Sequence, residues 1–507
     1  MNIGIDLGTT NTVVGWMNLF GNIEFLEFEK NDIILPSCIY YDRGNIIVGR
    51  NAIKMSEENP SAFISDSKTF MDDRSKCWTI EGRRFKAEDV AFEILKTVRK
   101  TLKERFPDEK TFNAVITVPA KFGEDQVKRT VSALKRAGIG LIEVIKEPVA
   151  AVLAYNDDIF KVNDRVYVVD FGGGTIDVAL IELGGNGCVT DFNVLSADGN
   201  RHLGGSDLDN VISRIVFEQF KECSGQDISD EEITWGTSRK QVRCKIQKAA
   251  QDAKKTLYYK NTSANEEILI SESSACSICE KTDICEKSNE FCFSVSYDDY
   301  LTAADDIYDK IKELIVNPKI MVYDIQHVIF AGGMCTDPYL KQFIESSFPE
   351  SNIIYVSDTN KEEKYLTVIA RGAAIKACDE NIHIVNKLLN SLGIICVDPY
   401  GRQYMNPIIP EGTDIDINFE ASHIYTNNGR FDTEMTFEIY EYNGDPDDFN
   451  NLEYRKIGSF AFNDITPMDI GKQRIETVFS FDSGGILSVR AVDLNDNKRN
   501  IEVFFEI

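Results

Sequence analysis

Two stretches of the chain share one pattern, in which a β-branched run ends in Asp, a glycine-rich turn follows, and a second apolar run begins. The first stretch is residues 3–11 and the second is residues 168–177. Each predicts a strand, a tight turn and a returning strand. Glycine lets backbone N–H groups approach a ligand closely, and clustered N–H groups bind phosphate. The two copies therefore predict a duplicated fold that holds one polyphosphate from both sides.

Apolar residues recur at helical spacing in 88–106, 124–137 and 240–258, which predicts three amphipathic helices. The polar face of the third helix carries Gln251, Lys254, Lys255 and Tyr258. From about residue 398 the pattern alternates strictly, as in 436–441 and 474–481, and this alternation predicts an antiparallel β-sandwich. The apolar stretch between the two patterns predicts a linker that docks on a neighbour. The expected organisation is a two-lobed domain at 1–380, a linker at 381–397 and a sandwich at 398–507.

Length and charge narrow the class of protein. A chain of 507 residues is too long for one core and suggests two to four domains. The net charge of −27, without a Lys/Arg-rich block, argues against nucleic acid or an anionic membrane as partner. Met1 leads directly into the first predicted strand, which leaves no room for a signal peptide. A cytoplasmic protein is expected, whose 12 cysteines stay reduced unless they bind a metal.

A third segment completes the nucleotide pattern. The apolar run 328–331 breaks at Gly332 and Gly333, where a duplicated fold would bring a loop to the nucleoside. The chain lacks the G-x-x-x-x-G-K-[ST] motif, and neither phosphate turn feeds a helix as a dinucleotide-binding fingerprint does. Together the three segments resemble the phosphate and adenosine signatures of the actin-like ATPase superfamily.

Because a predicted β-sandwich follows this ATPase pattern along the sequence, the chain resembles the seventy-kilodalton heat-shock (DnaK-type) chaperone family. The matching stretches are GIDLGTTN at 4–11, VPAKF at 118–122, KEPVAAVLAY at 146–155, VVDFGGGTIDV at 168–178, HLGGSDLD at 202–209, AQDAKKTL at 250–257, RGAA at 371–374, IIPEGT at 408–413 and GILSVRAVD at 485–493. The resemblance implies an α/β actin-like domain of duplicated ribonuclease-H-like halves, then a sandwich that binds extended polypeptide. Because the sequence stops inside a predicted strand, the family's C-terminal helical lid is expected to be absent.

The resemblance also implies residue roles. Asp6 and Asp170 would hold a hydrated Mg²⁺ and its K⁺ companions, and Glu147 would complete the outer shell of the metal. Lys68 would contact the attacking water and the γ-phosphate, while Thr175 and Asp177 would orient that water. ATP or ADP would be held by residues of the turns and the helix face: Gly8, Thr9, Thr10, Asn11, Gly172, Gly173, Gly174, Gly204, Gly205, Gln251, Lys254, Lys255, Tyr258, Gly332, Gly333 and Met334.

Some positions depart from the family pattern. On the adenosine face, Gln251 replaces Glu, Lys255 replaces Arg and Tyr258 replaces Ser, and Thr336 stands where an Arg commonly stacks on adenine. Since Lys does not stack as Arg does, a lowered nucleotide affinity is expected.

Two further departures concern interdomain communication. Val127 occupies the place of an interdomain relay Arg, and Asn386 occupies the place of a linker Asp. These changes predict weakened coupling of ATP to substrate binding.

The predicted function is that of an ATPase chaperone for unfolded polypeptide, with a J-domain co-chaperone and a nucleotide-exchange factor as further partners. Two alternatives remain at this stage. One is an actin-like structural or regulatory protein with little turnover, which filament formation would reveal. The other is a small-molecule kinase of the same fold, which the sandwich disfavours.

Four cysteines, Cys276, Cys279, Cys285 and Cys292, have the spacing C-x2-C-x5-C-x6-C. Four thiols this close can form a tetrahedral zinc site, around which a short insertion could fold. Reduced cysteines on an exposed hairpin, or a disulfide, would give the same pattern, so the sequence leaves these readings open.

Overall fold

The structure is a computed structural model. It describes residues 1–155, 159–200, 202–224, 237–260, 263–269, 290–355, 364–388, 390–397, 402–415, 419–446, 448–449, 452–481, 487–496 and 499–505. No helix in these ranges is long and apolar enough to cross a membrane.

Lobe I is built on a mixed sheet with the strand order Gly140–Lys146, Asn113–Val118, Asn2–Leu7, Asn11–Met17 and Ile23–Phe25, with Leu35–Pro36 paired to Asn11–Met17. Smaller sheets extend it, formed by Asn45–Val48, Ile39–Asp42 and Phe63–Ile64, and by Trp78–Ile80 and Arg83–Phe85. Its helical segments are Arg50–Ser56, Pro60–Ala62, Ser67–Phe70, Ala87–Arg105, Glu124–Arg136 and Glu147–Leu153. The buried apolar face of Ala87–Arg105 packs on this core.

Lobe II repeats the arrangement. Its sheet has the strand order Asn352–Tyr355, His327–Ala331, Arg165–Phe171, Ile176–Gly184, Asp191–Asn200, His383–Lys387 and Asp414–Ile415. A hairpin of Ser263–Leu269 and Glu290–Ser296 lies beside it. Its helical segments are Gly205–Ser224, Thr237–Lys260, Tyr297–Ile315, Pro318–Met321, Gly333–Thr336, Pro338–Ser347 and Lys364–Cys378. The expected strand–turn–strand units are thus confirmed in both lobes.

Helix Lys364–Cys378 joins the two lobes through glycine contacts. It packs on strands Asn2–Leu7 and Asn11–Met17 and on helix Glu147–Leu153. A Cβ placed on Gly372 would lie 1.8 Å from the Ala150 carbonyl oxygen. These backbones therefore approach at a distance that only glycine permits.

The C-terminal part is a sandwich of two four-stranded antiparallel sheets, as the alternating pattern predicts. One sheet has the order Gln403–Ile409, Ser391–Val397, Glu434–Asn443 and Glu453–Asn463. The other has the order Glu420–Thr426, Arg474–Phe481, Leu487–Asp493 and Asn500–Phe505. Their inward-facing apolar residues form a core separate from those of the lobes.

The stretch 381–397, expected as one linker, contains two strands. His383–Lys387 pairs in parallel with Asp191–Asn200 at the edge of the lobe II sheet. Ser391–Val397 pairs with strands of the sandwich, and its residues Leu392 and Ile394 are buried in the sandwich core. The sandwich therefore begins at Ser391 rather than at residue 398, because the apolar residues at this end of the stretch fill its core.

Candidate active site

The two glycine-rich turns face each other across the cleft between the lobes. Each turn is closed by the same backbone hydrogen bond, from Gly8 N to Asn11 O and from Gly172 N to Thr175 O, at 2.9 Å in both. A Cβ on Gly173 would lie 2.2 Å from Thr10 Oγ1. The cleft is therefore narrow, and its two sides are duplicates of one turn.

A third loop is fixed to the second turn. Gly205 N donates to Gly172 O at 3.0 Å, and Ser206 N donates to Gly173 O at 2.7 Å. A Cβ on Gly204 would lie 2.6 Å from Gly173 O, so a side chain there would separate the two loops. Because Gly205 begins the helix Gly205–Ser224, this contact also brings a positive helix end to the second turn, and such an end favours anions.

The loop expected at the nucleoside lies at the end of strand His327–Ala331, next to the second turn. Gly332 has a φ of 82°, and a Cβ on it would lie 2.3 Å from Phe171 O and 2.7 Å from Asp170 Oδ1. A Cβ on Gly333, in contrast, would meet no atom within 4 Å. Gly332 is thus required by the fold, whereas Gly333 faces open space.

A buried ion pair lies at the base of the cleft. Lys68 Nζ is 2.7 Å from Glu147 Oε1, and both residues are 7% exposed. Lys68 is presented by a short 3₁₀ turn that begins after Asp66, which has a left-handed backbone at φ 52°. Thr69 Oγ1 donates to Asp66 O at 2.7 Å and closes this turn. The turn holds the ammonium group of Lys68 in one position in the cleft.

Three aspartates surround this pair. Thr117 Oγ1 donates to Asp6 Oδ1 at 3.2 Å, and Ala120 N donates to Asp177 Oδ1 at 2.8 Å. Burial, reinforced by the charge of Glu147, raises the pKa of Asp6 and of Asp177 to about 7. The same two causes raise the pKa of Asp170 well above its ordinary value. Four carboxyl groups, three of them buried and that of Asp6 half-buried, thus lie around the ammonium group of Lys68.

This excess of carboxyl groups fits a bound cation, because a cation would stabilise their ionised forms. Among the described residues, no three His, Cys, Asp or Glu side chains are grouped closely enough to hold a metal directly. Mg²⁺ usually keeps several of its waters and binds through one or two carboxylates, and a hydrated Mg²⁺ at Asp6 and Asp170 stays a prediction.

The helix Thr237–Lys260 brings its predicted face residues to different places. Lys254 is buried, donates from Nζ to Gly205 O at 2.8 Å and lies 2.6 Å from Asp209 Oδ1. Gln251 and Lys255 are exposed. Tyr258, expected at the nucleoside, instead points into the core of lobe II, with its hydroxyl 2.8 Å from that of Tyr300.

Asp209, Thr117 and the backbone of Ala120 are site residues that the sequence reasoning missed. Asp209 follows Gly205 by four residues, so the two lie on one helix face, and this spacing could have identified it. Thr117 contacts Asp6 and Ala120 contacts Asp177. In both pairs the partners are far apart along the chain, and only the fold brings them together. No spacing along the chain signals those contacts.

The Lys254–Asp209 pair gives a testable prediction. Lys254→Met removes the cation beside Asp209, whose side chain is only 14% exposed, so we expect the free energy of unfolding to fall by about 3 kcal/mol and ADP affinity to fall with it. The double variant Lys254→Met/Asp209→Leu removes both charges and is expected to regain most of the stability but not the affinity. Denaturant unfolding and calorimetric titration with MgADP measure the two effects. Equal ADP affinity in the wild type and both variants would contradict a binding role for Lys254.

The cysteine cluster is only partly visible. Cys276, Cys279 and Cys285 lie outside the described residues, and Cys292 is an exposed residue of strand Glu290–Ser296, opposite Glu267. The zinc site stays a prediction.

Comparison with known proteins places the chain in a family. The family model described as Hsp70 protein matches residues 2–77 and 71–504. The chaperone protein DnaK of Thermotoga neapolitana is 30% identical over 98% of this chain and 79% of its own length. The DnaK of Thermosipho melanesiensis is 30% identical over 99% of this chain and 79% of its own length. That of Mycoplasmopsis agalactiae is 29% identical over 98% and 77%.

These matches confirm the resemblance and the pairing of an actin-like ATPase domain with a β-sandwich. The absence of a helical lid stays a prediction. The family binds ATP or ADP with Mg²⁺, and the arrangement of glycine turns around buried carboxyl groups agrees with that chemistry. The chain belongs to the Hsp70 family of chaperones.

Proposed function

We propose that this protein hydrolyses ATP and uses the cycle to bind and release extended or unfolded polypeptide. The observation that carries the proposal is the cleft itself, where duplicated phosphate turns enclose the buried Lys68–Glu147 pair and three aspartates. Phosphoryl transfer to water depends on positioning and charge neutralisation more than on a strong base. The cleft supplies both.

In this proposal the turns hold the phosphates and the carboxyl groups hold cations. Gly8, Thr9, Thr10 and Asn11 act from lobe I, and Gly172, Gly173, Gly174, Gly204 and Gly205 act from lobe II. Asp6 and Asp170 would hold a hydrated Mg²⁺ and accompanying K⁺ ions, whose chemistry is to neutralise phosphate charge. Gly332, Gly333 and Met334 border the nucleoside.

Lys68, Thr175 and Asp177 are proposed to position the attacking water. Asp177 Oδ1 accepts a hydrogen bond from Ala120 N, and this bond supports the role because it fixes the orientation of the carboxyl group. Glu147 orients Lys68 through their 2.7 Å contact. With Lys68 donating toward the γ-phosphate and the water, the charge that develops in the transition state has a fixed cation beside it.

The β-sandwich is proposed to bind the polypeptide. It exposes large apolar side chains, among them Tyr404, Ile424 and Phe431, at 44%, 47% and 56% exposure. Such surface supports binding of extended segments, since apolar contacts and strand edges are what extended peptides recognise. A J-domain co-chaperone and a nucleotide-exchange factor are proposed as partners on the family relationship alone.

Coupling between ATP and peptide is proposed to be weak. Val127 is a buried apolar residue of helix Glu124–Arg136, so the charged relay expected at that position is missing. Asn386, in the strand that docks on lobe II, carries no charge either.

We therefore expect ATP to change peptide affinity less than it does in the DnaK relatives. Fluorescence anisotropy of a labelled unfolded peptide, with MgATP or MgADP, measures this difference. Asn386→Asp restores the charge and is expected to increase the difference in peptide affinity between the two nucleotides. A large ATP-triggered release of peptide by the wild-type protein would contradict weak coupling.

Phosphate release from ATP tests the proposed function. We expect turnover that requires Mg²⁺, stops with a chelator and is higher in K⁺ than in Na⁺. Two rival functions predict other outcomes. Transfer of the phosphate to a sugar would indicate a small-molecule kinase, and nucleotide-dependent filaments seen by light scattering, with little turnover, would indicate an actin-like structural protein.

A further inference from the structure

A chain of buried hydroxyl groups runs from the helix Thr237–Lys260 to the loop that follows strand His327–Ala331. This loop, residues 332–337, is called the nucleoside loop below. Tyr258 OH lies 2.8 Å from Tyr300 OH, and Tyr300 OH lies 2.8 Å from Tyr308 OH. Tyr308 OH then donates to Asp337 Oδ2 at 2.6 Å. The four side chains are at most 9% exposed, and Asp337 is fully buried. Removing one hydroxyl group from such a chain lowers stability, because the neighbouring buried polar group loses its hydrogen-bond partner.

The carboxylate fixes the direction of the bond next to it. Each hydroxyl group has one proton, and Tyr308 uses its proton on Asp337, so Tyr300 must donate to Tyr308. Tyr258 has both Tyr300 and Asp337 as hydrogen-bond partners, so its hydroxyl group also joins the helix Thr237–Lys260 to the carboxylate. Asp337 also accepts from Tyr339 N and Leu340 N through Oδ1, as the N-cap of helix Pro338–Ser347. Burial raises the pKa of Asp337, and these hydrogen bonds counteract part of that rise.

Both ends of the chain reach elements of the nucleotide cleft. At one end, Asp337 N donates to Met334 O at 3.0 Å, so the carboxylate is tied to the nucleoside loop. At the other end, Tyr258 follows Lys254 by one helical turn, and Lys254 Nζ donates to Gly205 O. The hydroxyl chain thus joins the loop that borders the nucleoside to the helix that holds the phosphate loop.

We infer that Tyr300, Tyr308 and Asp337 are positioning residues that set the width of the nucleoside pocket by holding its loop at a fixed distance from the helix Thr237–Lys260. This inference rests on the proposed nucleotide binding. It also explains why Tyr258 is not at the nucleoside, since its hydroxyl group belongs to this buried set. Binding of the nucleoside should depend on this distance, whereas binding of the phosphates should not.

The helix Tyr297–Ile315 is arranged to carry the two central hydroxyl groups. Tyr300, Ala304 and Tyr308 follow each other at four-residue intervals and are all buried. This spacing places them on one face of the helix. The small side chain of Ala304 between the two tyrosines leaves room for both rings, whose centroids are 6.3 Å apart.

Tyr308→Phe tests the inference, because it removes one hydroxyl group and keeps the ring. The dissociation constants of MgADP and of magnesium pyrophosphate are measured by calorimetric titration. We expect the constant for ADP to rise about tenfold, since the buried carboxyl group of Asp337 loses one of its donors, while the constant for pyrophosphate stays within about twofold. Tyr300→Phe, which leaves Tyr308 bonded to Asp337, is expected to give a smaller shift in the same direction and serves if Tyr308→Phe does not fold.

Tyr167→Phe is the matched control. Tyr167 is a fully buried tyrosine of the same lobe, and its hydroxyl group donates to Ile315 O at 2.9 Å, away from the nucleoside loop. The Tyr167→Phe substitution should lower the unfolding temperature as Tyr308→Phe does, while the affinity for ADP stays unchanged. Asp337→Asn keeps an acceptor for Tyr308 and should retain most of the ADP affinity, whereas Asp337→Ala should lose it.

Two results would overturn the inference while nucleotide binding stands. One is unchanged ADP affinity in folded Tyr308→Phe, and the other is an equal loss of ADP and pyrophosphate affinity. Failure of the wild-type protein to bind MgADP would instead refute the proposed function, and the inference with it.

Discussion

Replacing Lys68 by Ala, or Asp170 by Asn, is expected to lower the rate of ATP hydrolysis by about 10²–10³-fold while nucleotide still binds. Both residues lie at the base of the cleft, where the ammonium group of Lys68 lies among the carboxyl groups of Glu147 and the three aspartates. Without Lys68, the transition-state charge loses its fixed cation. Because the turns and the nucleoside loop are unchanged, nucleotide affinity should change far less than turnover.

Single-turnover phosphate release from a preformed MgATP complex measures this effect separately from binding. Lys100→Ala is a suitable control, since Lys100 is a largely exposed lysine of lobe I and lies on helix Ala87–Arg105. It should turn over ATP as the wild type does. Turnover close to wild type after Lys68→Ala would show that another group positions the water.

The largest effect on stability is expected from Gly372→Ala. The added methyl group would lie 1.8 Å from the carbonyl oxygen of Ala150, and both partners are helix backbone. Neither can turn away as a side chain could, so the two helices must separate. We expect the free energy of unfolding to fall by about 3 kcal/mol, or the variant not to fold.

Denaturant unfolding of Gly372→Ala beside Gly333→Ala tests this prediction. Gly333 has no atom within 4 Å of its added Cβ, so its substitution should leave stability nearly unchanged. A loss below about 1 kcal/mol in Gly372→Ala would mean that helix Lys364–Cys378 can shift without cost, and that the contact does not hold the lobes together.

The sequence was sufficient for the parts of the site that lie within one local pattern. Asp6 and Asp170 each lie one residue before the end of a strand that leads into a glycine turn, and this local pattern was enough to predict that both belong to the cleft. Helix faces could be predicted for the same reason, since Val242, Ile246 and Leu257 recur at helical spacing and are buried. Such local patterns can be predicted because the geometry of strands, turns and helices sets the spacing of these residues along the chain.

Contacts between distant segments could not be predicted in this way. The side chain of Tyr258 points into the core of lobe II, where its hydroxyl group forms a hydrogen bond with that of Tyr300, 42 residues later in the chain. The start of the sandwich at Ser391 depends on strand pairing with Glu434–Asn443, and a run of apolar residues does not say which core it will enter. Both differences come from tertiary partners that no periodicity encodes.

The most direct test of the central claim is the rate of ATP turnover with and without a saturating unfolded peptide. We expect Mg²⁺-dependent turnover by the wild-type chain that rises when peptide is added, and loss of that turnover in Lys68→Ala. A folded protein without extended segments should cause no rise. Turnover that is unaffected by any peptide, or no Mg²⁺-dependent turnover at all, would contradict an ATP-driven polypeptide-binding function.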